Sequence, residues 1–246
     1  MVRGETHLSF CQIDDIVRDI VPVFGAHPLS QVVSQRPILL VEGGDDVRIW
    51  QQAVRSSEGC MALHPCACGS VDRLNAYEQA SVQILDSVYD DPRAFSLRDR
   101  DGVVEDIDDS LPLIRMRLAC RNAENLILTD EVLGVLGTDW DAFRSRLNMW
   151  IDRERGVTEE CRHRYFNAAT RFAEDCDRKC ADIKQCRTLF VGEIACSNMP
   201  WEVAVGKAIA GYAKRGTGRT DAGSLGDFLG EKVMLNLVPR QPQRDE

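Results

Sequence analysis

Four consecutive apolar residues, Ile38-Leu39-Leu40-Val41, stop abruptly at Glu42-Gly43-Gly44. A run this short, apolar on both faces and ended by glycines, predicts a parallel strand buried from both sides and followed by a sharp turn. Val47, Trp50 and Val54 then recur at helical spacing, so a helix is expected directly after the turn. A strand covered on both faces needs helical layers above and below it, which restricts the chain to an α/β architecture.

The following segments repeat the alternation. Met61-Ala62-Leu63-His64-Pro65 is a second candidate strand, pushed toward a sheet edge by Pro65. Leu74, Tyr77, Ile84, Leu85 and Val88 share one face of a helix predicted over 71–88, which Asp90-Asp91-Pro92 closes. Ala94-Phe95-Ser96-Leu97 is a third strand and ends in Asp99-Arg100-Asp101-Gly102. Residues 113–118 supply a fourth, with Arg115 and Arg117 on one face. Strands separated by helical crossovers make a mostly parallel sheet flanked by helices, and the acids fall at strand carboxyl ends, the edge where such sheets bind ligands. Beyond about residue 130 the periodicity is helical, with segments expected at 139–150, 158–187, 201–214 and 224–236. The expected division is a lead-in over 1–36, an α/β core over 37–130 and a mainly helical region over 131–246, with a frayed tail from Pro239.

The formal charge of -9 argues against a protein that coats nucleic acid non-specifically. Local charge reads differently. Of the 30 basic residues 25 are arginine, and Arg98, Arg100 and Arg121, with Arg93, Arg115 and Arg117, bracket the acids at 99–101. Guanidinium forks suit phosphate oxygens, which makes Arg98, Arg100 and Arg121 the expected nucleic-acid contacts. No stretch approaches the roughly 20 apolar residues of a membrane span, and charges scattered through the first thirty residues are unlike a secretory leader, so a cytoplasmic protein is expected. Ten cysteines raise the question of zinc. Cys66-Ala67-Cys68 has the wrong spacing, and Cys176 and Cys180 share an apolar helical stripe, so small buried side chains are expected instead.

Magnesium keeps several waters and is held by a few carboxylates, which rigid strand ends present well. Asp99 and Asp101 lie two apart, so on extended backbone both carboxylates point to one side. Glu42 arrives from another strand end and can complete the metal site or move a proton. Taken singly, each motif is an ordinary solvated turn or helix entry. Two such motifs, each ending an apolar strand and separated by a helical crossover, point to a shared site.

At this point the sequence resembles the TOPRIM family, shared by topoisomerases, bacterial primases and OLD-type nucleases: an apolar strand, Glu42-Gly43-x-x-Asp46, then a strand ending in Asp99-x-Asp101. Arg121-Asn122-Ala123-Glu124-Asn125-Leu126 is similar to an element of the OLD-type branch, and Gly206-Lys207 resembles that branch's late Gly-Lys before a helix. The resemblance implies a Rossmann-like TOPRIM core over 37–130. It further implies metal binding by Glu42, Asp46, Asp99 and Asp101, with Glu124 assisting a second ion, Glu42 as a catalytic group and Lys207 steadying transition-state charge. Gly44 departs from the usual pattern, and Asp45 beside Asp46 leaves the second ligand open between them. The implied activity is a magnesium-dependent nuclease, with manganese as a substitute, cutting DNA or RNA. The implied partners are a nucleic acid, an ABC-type ATPase such as accompanies anti-phage effectors of this branch, and a second copy of the chain.

Other readings fit less well. Gly206-Lys207 is not a phosphate-binding loop, because Trp201 and Ala208 stand where Gly and Ser or Thr are required. A topoisomerase needs a nucleophilic tyrosine in a separate domain, and a primase normally brings a zinc module. A non-catalytic interaction module would have no use for converging carboxylates.

Overall fold

The structure is a computed structural model that describes residues 36–88, 94–103, 105–158, 163–216 and 218–238. All but the last residue of the expected lead-in, the turn at Asp90-Asp91-Pro92 and the tail from Pro239 lie outside the described residues.

Four strands, β1 (Ile38–Val41), β2 (His64–Ala67), β3 (Ala94–Arg98) and β4 (Leu113–Arg117), form a parallel sheet in the order β2-β1-β3-β4. Helices α1 (Gly44–Ser56) and α2 (Val71–Val88) are the crossovers that return the chain to the same end of the sheet. Leu39 lies opposite Pro65 on one side and Phe95 on the other, and Leu97 opposite Met116. Pro65 is tolerated because β2 is an edge strand. The two-residue period sorts β1 between two cores. Ile38 and Leu40 pack with Cys66 and with Leu74 of α2, whereas Leu39 and Val41 join Ile49 and Trp50 of α1 on the opposite face.

The second half of the chain is helical: α3 (Asp130–Val135), α4 (Trp140–Arg155), α5 (Phe166–Asp175), α6 (Trp201–Arg215), α7 (Leu225–Leu229) and α8 (Glu231–Leu237). Asp139 starts α4 by accepting a hydrogen bond from the Ala142 N–H at 2.8 Å, and Ser224 caps α7 in the same way. One hydrophobic cluster runs from Leu39 of β1 through these helices to Val238. The tightest joint is between α6 and α1. A Cβ on Gly206 would lie 2.6 Å from both the Ile49 carbonyl oxygen and the Gln52 Cβ, so the two helices touch backbone to backbone there.

Several sequence expectations are corrected. Strand β2 begins three residues later than expected, at His64, because Met61 and Leu63 are buried against the core ahead of the sheet. Among the described residues, the long helix read over 158–187 is reduced to α5, which ends at Cys176, where the chain turns left-handed with φ 49°. Cys176 and Cys180 are therefore not on a buried helical stripe, and Cys180 is exposed. The helix expected over 224–236 is split by Gly230 at φ 87°. Gly206-Lys207 lies inside α6 rather than before a helix.

Candidate active site

Glu42 leaves the carboxyl end of β1 and Asp99 the carboxyl end of the adjacent β3, so neighbouring strands deliver them to one crevice. The Asp99 N–H donates to Glu42 Oε1 at 3.3 Å. Asp101 follows, but the backbone is no longer extended: Asp101 sits at φ 46° and Gly102 at φ 87°. The N–H groups of Arg100 and Asp101 both donate to the Arg121 carbonyl at 2.9 Å, which holds this turn against the segment that follows β4. The turn, rather than strand alternation, is what keeps Asp101 near Asp99. Glu42, Asp99 and Asp101 each present a carboxylate oxygen, and the three oxygens lie within 4.8 Å of one another.

Glu42 and Asp99 open into a cleft of about 350 Å³ that Asp45, Asp46, Glu124 and Trp201 also line, and Asp101 adjoins it through its closeness to both. Asp46, in the first turn of α1, accepts from the Gly43 N–H at 2.9 Å. Asp45 instead pairs with Arg48 at 3.1 Å and faces Arg187 at 3.7 Å. Of the two neighbours, Asp46 is thus the one electrostatically joined to the strand acids. Glu124 lies in the first turn of a 3-10 helical stretch (Ala123–Leu128), is buried, and accepts from Arg187 at 3.2 Å. Asn125, fully buried, donates to the carbonyls of Arg178 and Ala181, both at 2.9 Å, and so clamps the loop that leads to Lys184.

Burial and mutual repulsion govern the electrostatics. Burial, then the nearby charges of Asp46, Glu42 and Glu124, pushes the Asp99 carboxyl up to about 8 against the opposing pull of Lys184. Burial first, then Glu42, Glu124 and Asp45, pushes Asp46 up to about 6, although the Gly43 N–H works the other way. Glu42 is also raised, chiefly by burial and by Asp101. Lys184 balances these charges. Its Nζ lies 3.4 Å from Asp99 Oδ2 and 3.8 Å from Asp101 Oδ1, and although burial opposes it, Asp99, Asp101 and Glu124 hold its ammonium above the usual range. A crowded set of oxygen donors that resists ionisation fits a hard divalent cation, which would relieve the repulsion.

The structure thus gathers Glu42, Asp46, Asp99, Asp101 and Glu124 around one cleft. It does not bring Lys207 to that lining: Lys207 is exposed on α6. Arg98, expected as a nucleic-acid contact, is 7% exposed and is not among the residues that line the cleft; its guanidinium pairs with Glu78 at 2.7 Å and donates to Asn75 at 2.8 Å. Arg115 shares the same Glu78 at 2.9 Å, and Arg117 donates to the Glu105 carbonyl. Arg100 faces Asp106 at 3.9 Å, and Arg121 contributes its carbonyl to the acidic turn. Lys184 and Arg187 are the residues that sequence reasoning missed. They fall in a stretch read as continuous helix, and no spacing ties them to Glu42 or Asp99.

Comparison with known proteins adds little. No family model and no curated protein matches the chain. Among solved structures, the C-terminal region of the OLD protein of Xanthomonas campestris pv. campestris aligns at 12% identity and a TM-score of 0.33, covering 72% of this chain and 84% of that one. A likeness at that score carries no argument about fold or function. No helix among the described residues is long and apolar enough to cross a membrane.

Proposed function

We propose that the cleft is the active site of a magnesium-dependent nuclease, of TOPRIM type and within it closest in motif order to the OLD-type branch. The observation that carries this reading is the convergence of Glu42, Asp99 and Asp101 from the carboxyl ends of adjacent parallel strands, with oxygens within 4.8 Å. Glu42, Asp46, Asp99 and Asp101 are the residues that would hold magnesium or manganese, with Glu124 available to a second ion. Bound there, the metal would supply Lewis acidity and a water acidified enough to attack a phosphodiester. Glu42, whose proton affinity is raised, suits the transfer of a proton to or from a reacting oxygen. The charge-steadying role goes in this reading to Lys184 rather than Lys207, supported by the approach of its Nζ to Asp99 and Asp101.

The direct test is incubation of the purified chain with plasmid, single-stranded DNA, transfer RNA and structured RNA in magnesium, manganese or EDTA, beside Glu42→Gln and Asp99→Asn. Cleavage that EDTA and both substitutions abolish is the expected result. A chain that cuts none of these, and that magnesium does not stabilise against heat, would overturn the reading.

A further inference from the structure

Beside the acidic cleft lies a second cavity of about 340 Å³, lined by Arg164, Tyr165, Lys184, Gln185, Arg187 and Thr188. The two cavities share Lys184, so one side chain separates them. Their chemistry is opposite. Carboxylates dominate the first, whereas the described residues that line the second are three cations, two neutral polar groups and one aromatic ring, with no acid among them. The pairings of Lys184 with Asp99 and of Arg187 with Glu124 lie along the boundary between them.

Tyr165 immediately precedes α5 and is packed partly against the main core, which fixes its ring. The exposed Arg164 lays its guanidinium carbon 4.5 Å from the Tyr165 ring centroid, and the His163 ring supports the tyrosine at 5.2 Å. A cation layered on an anchored aromatic offers a stacking surface for a nucleobase, and base stacking on aromatic and arginine planes is how proteins hold unpaired nucleotides. Lys184 and Arg187, at the side of the cavity nearest the acids, are placed for the phosphate that joins such a nucleotide to its neighbour.

We propose that this cavity is a subsite for the nucleotide next to the scissile phosphate, with the base on Arg164 and Tyr165 and its phosphate between Lys184 and Arg187. The subsite directs the protein to single-stranded or locally unpaired nucleic acid, because in a duplex the faces of each base are covered by its neighbours. This rests on the nuclease reading of the adjoining cleft.

Binding is measured by fluorescence anisotropy in EDTA, where magnesium-dependent cleavage is silent, with labelled oligothymidylate, labelled oligouridylate and a hairpin duplex of equal length. At least one single strand is expected to bind about 10-fold tighter than the duplex, and either sugar satisfies the proposal. Tyr165→Leu should weaken single-strand binding by about 5-fold or more, the range of one lost base stack, while Tyr165→Phe stays within about 2-fold. Arg164→Gln, at an exposed position that cannot disturb the core, should weaken binding about 3-fold and flatten its salt dependence. Duplex bound as tightly as single strand, or wild-type binding by both Tyr165→Leu and Arg164→Gln, overturns the proposal. The two readings fail separately. Loss of binding in these variants, with no cleavage of any substrate by the wild type and no stabilisation of it by magnesium, would keep the subsite and sink the nuclease. Metal-dependent cleavage lost in Glu42→Gln but untouched in Tyr165→Leu and Arg164→Gln would do the reverse.

Discussion

Asp99→Asn should make the metal-free protein more stable while depriving it of its response to magnesium. Asp99 is 14% exposed at the side chain and is pushed up to about 8, so in EDTA near neutral pH the folded protein keeps a proton there that the unfolded chain, ionising near pH 4, releases. The sign follows from linkage. The native state binds more protons than the unfolded state between those two values, so stability is greatest on the acid side and falls as pH rises from about 4 to about 8. At pH 7 the full shift corresponds to about 4 kcal/mol, but Asp46 and Glu42 share the same repulsion, and one substitution recovers only part of it. Asparagine keeps an oxygen for the Ala123 N–H, which Asp99 Oδ1 accepts at 3.0 Å, and carries no charge. A gain of about 2 kcal/mol is therefore expected, or about 4–8 °C in Tm for a chain of this length. Thermal unfolding in EDTA across pH 4 to 8 should show the variant's advantage vanishing toward pH 4. Added magnesium should raise the wild-type Tm and leave the variant's unchanged. A variant less stable than wild type by the same margin at every pH would refute the electrostatic account.

Three further outcomes follow from the geometry. Lys184→Ala should lower the rate of cleavage by about 100-fold, the scale of one lost charge-stabilising donor, while Lys207→Ala changes it less than about 2-fold; a parallel turnover assay of the two decides which lysine serves the cleft. Gly206→Ala places a methyl 2.6 Å from the Ile49 carbonyl oxygen and should cost about 1–3 kcal/mol, read as a lower urea midpoint. Glu78→Ala strands Arg98, which is 7% exposed, without its counter-charge and should cost about 3–5 kcal/mol in the same unfolding assay.

The sheet was legible in the sequence because its signals are local. Ile38–Val41 and Ala94–Leu97 are apolar runs closed by acids, and a buried parallel strand has little else to display. The strand acids were legible for the same reason, Glu42 directly after its run and Asp99 one residue beyond its own. What could not be read depends on contacts distant in sequence. Asp101 stays with Asp99 through a left-handed turn tied to Arg121, where extended backbone was expected. Arg98 looked like a phosphate contact because nothing in the sequence shows that Glu78, twenty residues earlier, has already claimed it. The loop after α5 was misread as helix because its apolar spacing continues across Cys176, while the amide of Asn125 holds that loop's carbonyls in a different path.

The bare backbone of Gly206 sets the distance between α6 and α1, and α1 carries Asp46 on its first turn. Any side chain introduced there acts as a wedge driven in from behind the cleft, tilting Asp46 relative to the strand acids without touching any of them. The aperture of the cleft is thus adjustable from a buried position outside its lining, and graded substitutions at Gly206 would test the proposed metal site without altering any carboxylate.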